Sequence, residues 1–247
     1  MISFRNVKKS FGSKTVLKGV SFDVHDGEVF FIIGGSGVGK SVLIKHLIGL
    51  LYPDDGEIFL DGEEVSRLDE QQMYKVRMKC AMVFQNSTLF DSMSCAENVM
   101  LPLKKHKKMK DREARREAIR RLEQVHMAEF ADRFPAELGD GMRKRVAIAR
   151  ALTLDPSYVL FDEPTTSLDP VSARRVDKLI RELSDQIGVT SIVVSHDLAS
   201  IFSIADRIVM LYKGEVKLLG TRGDFQRSTD PVVQQFITGR ADGPIEL

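Results

Sequence analysis

The first part of the chain has the hydrophobic pattern of short β-strands. Three early runs are rich in β-branched and aromatic residues and are separated by turn-forming residues: "MISFRNVKKSFG", "TVLKGVSFDV" and "EIFLDGEEV". The pair Asp61-Gly62 in the third run is a strong hairpin signal, because both residues tolerate the backbone of a tight turn. The N-terminal region is therefore predicted to form an antiparallel sheet.

The pattern changes in the second half, where β-rich runs alternate with helical stretches. The runs are "SYVLFDE", "TSIVVSH" and "DRIVMLYKGEVKLLG", and "VSARRVDKLIRELSDQIG" is one of the helical stretches between them. This alternation is typical of a parallel sheet with crossover helices. The fold class predicted for the whole chain is α/β.

The middle of the chain, residues 90–156, contains no convincing strand and predicts a mostly helical insertion. The chain is therefore expected to form one domain over residues 1–247. Its core and β subdomain are predicted at residues 1–89 and 157–225, its helical subdomain at 90–156, and a C-terminal tail at 226–247.

The composition is that of an ordinary soluble globular protein of 247 residues, with 43% hydrophobic and 29% charged residues and a net charge of +1. No apolar run approaches the roughly 20 residues that span a bilayer, and the N-terminus lacks the apolar centre of a signal peptide. A cytoplasmic location is expected. Cys80 and Cys95 have no metal-ligand companions and are expected to be reduced.

A glycine-rich stretch, "GGSGVGKS", lies between an apolar run and the start of an apolar helix pattern. The spacing of Gly34 from Gly39, Lys40 and Ser41 matches the G-x-x-x-x-G-K-[ST] pattern, in which backbone N–H groups converge on phosphate at a helix N-terminus. Lys40 is expected to reach the β and γ phosphates of a nucleotide, and Ser41 to bind Mg²⁺. The predicted phosphate-binding residues are Gly34, Gly35, Ser36, Gly37, Val38, Gly39, Lys40, Ser41 and Val42.

Two acidic residues follow another apolar run, in "YVLFDEP". Asp162 is expected to hold Mg²⁺ through its hydration shell, and Glu163 to polarise the attacking water as a general base. His196 ends "SIVVSH", and the carboxyl ends of parallel strands line the ligand crevice in such sheets. His196 is expected to contact the γ phosphate, with a structural role at the strand end as the alternative.

These motifs, in this order, resemble those of the nucleotide-binding subunits of ABC (ATP-binding cassette) transporters. The resemblance extends over nearly the whole chain and adds a Q-loop at Gln85 in "VFQNSTLF" and a D-loop at Asp169 in "SLDP". It implies a P-loop NTPase with a RecA-like parallel sheet core, an antiparallel β subdomain and a helical subdomain. It also implies ATP and Mg²⁺ as cofactors, with Gln85 sensing metal and water. Phe11 lies where the family has an aromatic that stacks on adenine, and burial in the core is the alternative for this ring.

The family signature, Leu-Ser-Gly-Gly-Gln, is altered in "ELGDGMRKRVAIARAL". Gly139 replaces the serine, Asp140 replaces the first glycine, Gly141 is kept and Met142 replaces the glutamine. In the family this motif contacts the γ phosphate of ATP bound by a partner subunit. Our hypothesis is that Asp140 caps the following helix and points away from phosphate, while Gly139 and Gly141 present N–H donors.

Four longer segments resemble the ATPases of Mce- or Mla-type lipid transporters: "GMRKRVAIARAL", "FQNSTLFDSMSCAENVMLPL", "IVVSHDLASIFSIADRIVMLYKG" and "VVQQFITGRADGPIEL". The resemblance implies a homodimer bound peripherally at the cytoplasmic face of the inner (plasma) membrane. Its implied partners are integral-membrane permease subunits and a Mce-type lipid-binding protein, and its implied function is transport of phospholipid or another lipid. The tail is expected to be either a disordered terminus or a segment that docks on a partner subunit.

Two alternatives remain open at this point, and a third is not expected. The core motifs do not distinguish the cargo, so an amino-acid importer or a lipoprotein-release ATPase is the alternative among transporters. The altered signature leaves open a degenerate cassette that binds ATP as a regulatory switch. An ABC ATPase that acts on nucleic acid is not expected, because the chain has one cassette, no heptad insertion and a net charge near zero.

One segment has a strong local charge. Residues 104–121 contain ten Lys or Arg and three Asp or Glu, a balance of +7. Such a patch is able to meet anionic lipid head groups or nucleic acid. A solvated helix face is the favoured interpretation, because charge runs are usually solvent-exposed.

Overall fold

The structure of the chain, a computed structural model, describes residues 1–245. The strands are β1 (Ile2–Phe11), β2 (Lys14–Val24), β3 (Val29–Gly34), β4 (Asp55–Leu60), β5 (Glu63–Glu64), β6 (Cys80–Val83), β7 (Tyr158–Asp162), β8 (Thr190–Val194), β9 (Arg207–Tyr212) and β10 (Glu215–Thr221).

The α-helices are α1 (Lys40–Leu47), α2 (Glu70–Lys79), α3 (Cys95–Lys107), α4 (Asp111–Gln124), α5 (Asp140–Ala151), α6 (Pro170–Ile187), α7 (Leu198–Ile204), α8 (Arg222–Arg227) and α9 (Pro231–Thr238). Short 3-10 turns occur at Ala128–Phe130, Pro135–Glu137 and Leu152–Leu154. Among residues 1–245, no helix combines the length and the apolar character needed to cross a bilayer.

The predicted antiparallel sheet is confirmed. Its strand order is β2-β1-β4-β5, with antiparallel pairing between neighbours. The β4–β5 turn is formed by Asp61 and Gly62, whose φ angles of 53° and 83° are both in the left-handed region. A two-residue hairpin with positive φ at both central positions matches the right-handed twist of its strands, which is why this dipeptide occurs there.

The second sheet contains the predicted parallel strands and has the order β10-β9-β3-β8-β7-β6. Pairing is parallel from β9 to β6. The prediction was wrong for the end of "DRIVMLYKGEVKLLG", because Lys213 and Gly214 turn the chain back and β10 pairs antiparallel with β9. The short edge strand β6 was not predicted, since four residues carry too little pattern to be distinguished from a loop.

The central strand β3 is buried on both faces. Val29, Phe31 and Ile33 belong to a core shared with the helical region, whereas Phe30 and Ile32 belong to the core beneath the antiparallel sheet. A strand with a core on each side must be apolar at every position, which explains its uninterrupted hydrophobic run. The glycine-rich loop begins where this strand ends.

Residues 90–156 contain α3, α4 and α5 and, within the described chain, no strand. The helix α3 begins with a capping box between Ser94 and Glu97. The division of the chain into subdomains at residues 89, 156 and 225 stays a prediction.

The basic residues 104–121 lie on the end of α3 and on α4, and several pair with carboxylates of the same chain. Lys104 lies 2.5 Å from Asp111, and Lys107 lies 2.6 Å from Asp155. Arg121 is buried and contacts Glu117 and Asp155. These contacts reduce the local excess charge, and the other basic side chains of the segment are mostly exposed.

The C-terminal tail is folded through residue 245, so its interpretation as a disordered terminus was wrong for the described residues. In α9, Val232 and Val233 are buried in the core. The buried side chain of Gln235 donates to the carbonyl of Ala241 at 3.3 Å and accepts from the N–H of Ile245 at 2.7 Å. These hydrogen bonds hold the end of the tail against α9. Residues 246–247 of the predicted tail lie outside the described range.

One buried histidine generates a prediction about acid stability. His46 on α1 is buried, and burial, with a smaller effect of nearby Lys9, lowers its pKa to about 4. The unfolded chain therefore binds a proton below pH about 6.5 that the folded chain rejects, so the free energy of unfolding falls as the pH drops from about 6.5 towards 4. Between pH 7.5 and pH 5 this effect lowers the free energy of unfolding of the wild type by about 2 kcal/mol, and the substitution His46→Leu is expected to abolish that decrease.

The measurement is the urea midpoint of wild type and variant at both pH values. The matched control is His25→Leu, because His25 is exposed. It should keep the wild-type pH dependence. Equal pH dependence in the wild type and in His46→Leu would show that His46 does not set acid stability.

Candidate active site

The phosphate loop connects β3 to the N-terminus of α1, as predicted. Gly34 has φ 141°, and a Cβ atom at this position would lie 2.3 Å from the carbonyl oxygen of Leu211. Gly39 precedes α1 with φ 104° and has no side chain with which to cap its first amides. Only glycine fits both positions, and the first-turn N–H groups of α1 stay available to an anion.

Ser41 contacts Asp162, the residue with which it was predicted to bind Mg²⁺, whereas the predicted contact of Lys40 with nucleotide phosphates stays a prediction. The Lys40 ammonium donates to the carbonyls of Gly34 at 2.8 Å and Gly35 at 2.9 Å. Burial lowers the pKa of Lys40, and the charges of Glu163 and Asp162 partly offset this shift. The Ser41 hydroxyl donates to Asp162 at 2.6 Å, which joins the start of α1 to the end of β7.

The donors at this junction fit Mg²⁺. They are the hydroxyl of Ser41 and the carboxylate of Asp162, with the Gln85 amide lining the same cleft. Mg²⁺ prefers such oxygen donors and usually takes one or two carboxylates together with water and phosphate oxygens. No cluster of three or more His, Cys, Asp or Glu able to hold a metal occurs in residues 1–245, so phosphate and water would have to complete the coordination.

Glu163 and His196 form a close pair. The Nδ1 atom of His196 lies 2.8 Å from Glu163 Oε2, and the Thr166 hydroxyl donates to the same oxygen at 3.2 Å. Glu163 has φ 50°, a left-handed conformation that is uncommon for residues other than glycine and that often marks functional sites. Only 15% of the Glu163 side chain is exposed, whereas 62% of the His196 side chain is. The carboxylate is thus held in a defined orientation beside an accessible imidazole.

These side chains converge on one cleft of about 630 Å³. It brings together most of the predicted phosphate loop with Gln85, Glu163 and His196. Three further residues line the cleft and were not predicted: Val16, Thr166 and Phe236. The Asp-Pro pair at the start of α9 is a helix-start signal, but no sequence pattern indicates that its Phe236 reaches the phosphate loop.

Phe11 is placed at the end of β1, outside the residues that line this cleft. Its ring is 46% exposed, with the Lys9 ammonium 5.5 Å from the ring centroid. Burial in the core is therefore wrong for Phe11, and stacking on adenine stays a prediction.

The signature residues lie elsewhere in the chain. Gly139, Asp140 and Gly141 line a separate cleft of about 460 Å³ together with Asp169. This cleft shares no lining residue with the cleft of the phosphate loop. Asp169 caps α6 by accepting from the N–H groups of Val171 and Ser172, both at 3.0 Å, and the hydrogen bonds of Ser172 lower its pKa.

The hypothesis that Asp140 caps the signature helix was wrong. Gly139 occupies the N-cap position, and Asp140 is the first residue of α5. The Asp140 carboxylate pairs instead with Arg143, one turn along the same helix. A guanidinium three residues away is a suitable partner for a carboxylate in the first turn, and this pairing offsets the charge that would otherwise repel phosphate.

Two cations on α5 hold the segment around Gln85. Lys144 is buried, and its ammonium donates to the carbonyls of Gln85 at 2.6 Å and Phe84 at 3.2 Å. Arg150 donates to the carbonyls of Thr88 at 2.9 Å and Ser87 at 3.3 Å. Neither contact was predictable from the sequence, because nothing in "GMRKRVAIAR" distinguishes these two cations from solvent-exposed ones.

Lys144 supplies a prediction about alkaline pH. Burial lowers its pKa to about 8 from an ordinary value of 10.5. Between these values the unfolded chain binds more protons than the folded chain, so this group makes the free energy of unfolding rise with pH, by at most about 1.4 kcal/mol per unit. Replacing Lys144→Met is expected to remove that rise and to speed hydrogen exchange in residues 84–88, since two carbonyls lose their donor.

Urea unfolding between pH 7.5 and 9.5, with hydrogen exchange at pH 7.5, measures both effects. Lys178→Met, at an exposed position on α6, serves as the control and should change neither. A Lys144→Met variant with the wild-type pH slope and wild-type exchange would contradict the assigned contact.

The sequence of the chain is similar to those of known ATP-binding proteins. Residues 17–166, more than half of the chain, match the ABC transporter family. The chain is 38% identical over 246 residues to the probable ribonucleotide transport ATP-binding protein mkl of Mycobacterium leprae, covering 100% of this chain and 71% of that protein. It is 36% identical over 247 residues to MlaF, the ATP-binding protein of the intermembrane phospholipid transport system of Haemophilus influenzae, covering 100% of this chain and 94% of MlaF.

Solved structures agree with these relatives. The dimeric ATP-binding cassette MJ0796 in a post-hydrolysis state, bound to ADP and Pi, has a TM-score of 0.81 at 33% identity over 90% of this chain and 98% of that one. The chain therefore belongs to the ABC transporter family, as an ATPase subunit that binds and hydrolyses ATP.

Proposed function

We propose that this ATPase energises the transport of phospholipid or a related lipid, together with integral-membrane permease subunits and a Mce-type lipid-binding protein. The observation that carries the cargo assignment is the similarity to MlaF, which extends over 94% of that protein at 36% identity. The proposed location is the cytoplasmic face of the inner (plasma) membrane, with peripheral attachment through the permease.

The separation of the two clefts supports a homodimer as the working unit. The phosphate loop and the signature residues of one chain line different clefts. In a homodimer, a second copy would supply the signature residues to the nucleotide held by the phosphate loop. The dimeric state described for MJ0796 supports the same arrangement.

The chemistry assigned to each residue follows from its position. The α1 amides and Lys40 bind and orient phosphate, and Ser41, Asp162 and Gln85 would hold Mg²⁺. When bound, Mg²⁺ would neutralise phosphate charge. Glu163 is assigned to orient the attacking water and accept its proton, because its carboxylate is held in place by Thr166 and by His196 at 2.8 Å. His196, mostly exposed, is assigned to the γ phosphate.

A groove of about 900 Å³ beside α3 supports docking of a permease. Its apolar lining comes from Met93, Met100 and Leu101. Its charged lining has four basic residues and two carboxylates, so the balance is positive although Lys104 pairs with Asp111. This composition suits an amphipathic helix that carries an acidic residue. Met93, which lies between Gln85 and α3 in the chain, lines this groove, so a docked helix would contact the segment that follows Gln85.

Two alternatives each have one supporting observation. The first alternative is an ABC transporter for another cargo, such as an importer or a lipoprotein-release system. It is supported by the similarity to mkl, a probable ribonucleotide transport ATP-binding protein. The substitutions at Gly139 and Asp140 favour a degenerate regulatory cassette. The preserved pair of Glu163 and His196 supports an active motor over that second alternative.

The proposal is tested by purifying the complex from membranes with its natural partners and measuring steady-state ATP hydrolysis. Glu163→Gln is expected to retain ATP binding and to lower the hydrolysis rate by roughly 10² to 10⁴, because the water loses its general base. Mass spectrometry should identify a permease and bound phospholipid in the purified complex.

Glu123→Gln is the matched control, since Glu123 is exposed on α4, and it should hydrolyse ATP at the wild-type rate. Hydrolysis that does not depend on Glu163 would refute the catalytic assignment. ATP binding without turnover in the wild type would favour the regulatory cassette, and co-purification of another class of cargo would overturn the lipid assignment.

A further inference from the structure

The signature cleft has an unusual balance of charge. The signature serine is replaced by Gly139, so its hydroxyl donor is missing, and the carboxylate of Asp140 is engaged by Arg143. The other acidic residue of the cleft, Asp169, accepts hydrogen bonds from the first amides of α6. Two guanidinium groups, those of Arg145 and Arg175, line the same cleft.

These two guanidinium groups differ in how they are held. Arg145 donates to the carbonyls of Val125 at 3.4 Å and His126 at 3.2 Å, which fixes it in the wall of the cleft. Burial lowers the pKa of Arg145, and the like charge of Arg175 lowers it further. Within residues 1–245, Arg175 is exposed and makes no side-chain hydrogen bond or ion pair.

Glu182 lines a smaller neighbouring cleft together with both arginines, but its carboxylate pairs with Lys178 at 3.4 Å. The two guanidinium groups therefore repel each other, and an anion between or beside them would relieve this repulsion. Guanidinium is the side chain best suited to phosphate, because its planar array of donors is able to bind two oxygens at once. Arg175 approaches this cleft from α6, and Ser172 on the same helix already lies beside Gly141. The missing signature hydroxyl therefore has a nearby cationic substitute.

We propose that Arg175, supported by Arg145, binds the phosphates of the ATP held by the phosphate loop of a second copy of this chain. The inference rests on the proposed homodimer and deepens it, since it assigns a phosphate contact to a residue outside the signature motif. Arg175 thereby contributes to the site of its partner and leaves ATP binding in its own chain unchanged.

The test uses the full chain in a Glu163→Gln background, in which hydrolysis is slow enough for ATP-dependent dimerisation to be measured by analytical ultracentrifugation. Adding Arg175→Ala should raise the ATP concentration needed for half-maximal dimerisation at least about tenfold, which corresponds to one charge-assisted hydrogen bond. ATP binding to the separate chains, measured with a fluorescent analogue at low protein concentration, should stay unchanged. Arg175→Lys should restore part of the effect.

The matched control is Arg116→Ala. Arg116 is an exposed arginine on α4 and does not line the signature cleft. This variant should dimerise like the parent. The difference between the two variants should shrink at high salt, as expected for a contact between guanidinium and phosphate.

The possible outcomes separate the inference from the proposed function. If the parent dimerises with ATP and Arg175→Ala does so at the same ATP concentration, the inference fails and the dimer stands. If the parent does not dimerise at any ATP concentration, the proposed dimer fails, and the inference with it. In a third outcome, Arg175→Ala weakens ATP binding to the separate chains as much as it weakens dimerisation, or abolishes binding of inorganic phosphate while dimerisation stays intact. Either result would show that Arg175 acts within one chain and would overturn the inference.

Discussion

The burial of β3 on both faces is the constraint on which the nucleotide site depends. Parallel neighbours and two cores fix the end of this strand, and the backbone of Leu211 lies so close to Gly34 that a side chain there would collide with it. The loop must therefore turn at this point and enter α1 through Gly39. Ser41 then meets Asp162 at 2.6 Å, because the ends of β3 and β7 lie at the same edge of the sheet.

A second constraint links the phosphate cleft to the signature helix. The residues around Gln85, 84–88, form no helix or strand of their own, so their position depends on tertiary contacts. Lys144 and Arg150 supply these contacts, and both belong to the helix that begins at Asp140. A shift of α5 would therefore move Gln85 relative to Glu163. In this way, an event at the signature cleft is able to alter the cleft of the phosphate loop in the same chain.

The sequence predicted the parts of the site that depend on short-range order. The glycine loop and Glu163 follow apolar strands and Asp162 ends one, so strand pattern and residue type together were sufficient to predict their positions. The approach of Phe236 to the phosphate loop and the burial of Lys144 depend on packing between segments far apart in the chain, for which periodicity gives no signal. Asp140 was predicted incorrectly for a different reason. Aspartate is a favoured N-cap residue, but α5 begins at Asp140 and its N-cap is Gly139, so the Asp140 carboxylate pairs with Arg143.

The altered signature is easier to understand as a redistribution of charge than as a loss of function. A carboxylate aimed at phosphate would oppose dimer closure, but pairing with Arg143 leaves Asp140 little net field at a distance. Repulsion between Arg145 and Arg175 is unfavourable in a single chain. In the proposed dimer, phosphate bound beside these two arginines would relieve the repulsion, which would couple closure to the nucleotide as well as to contact between the two chains.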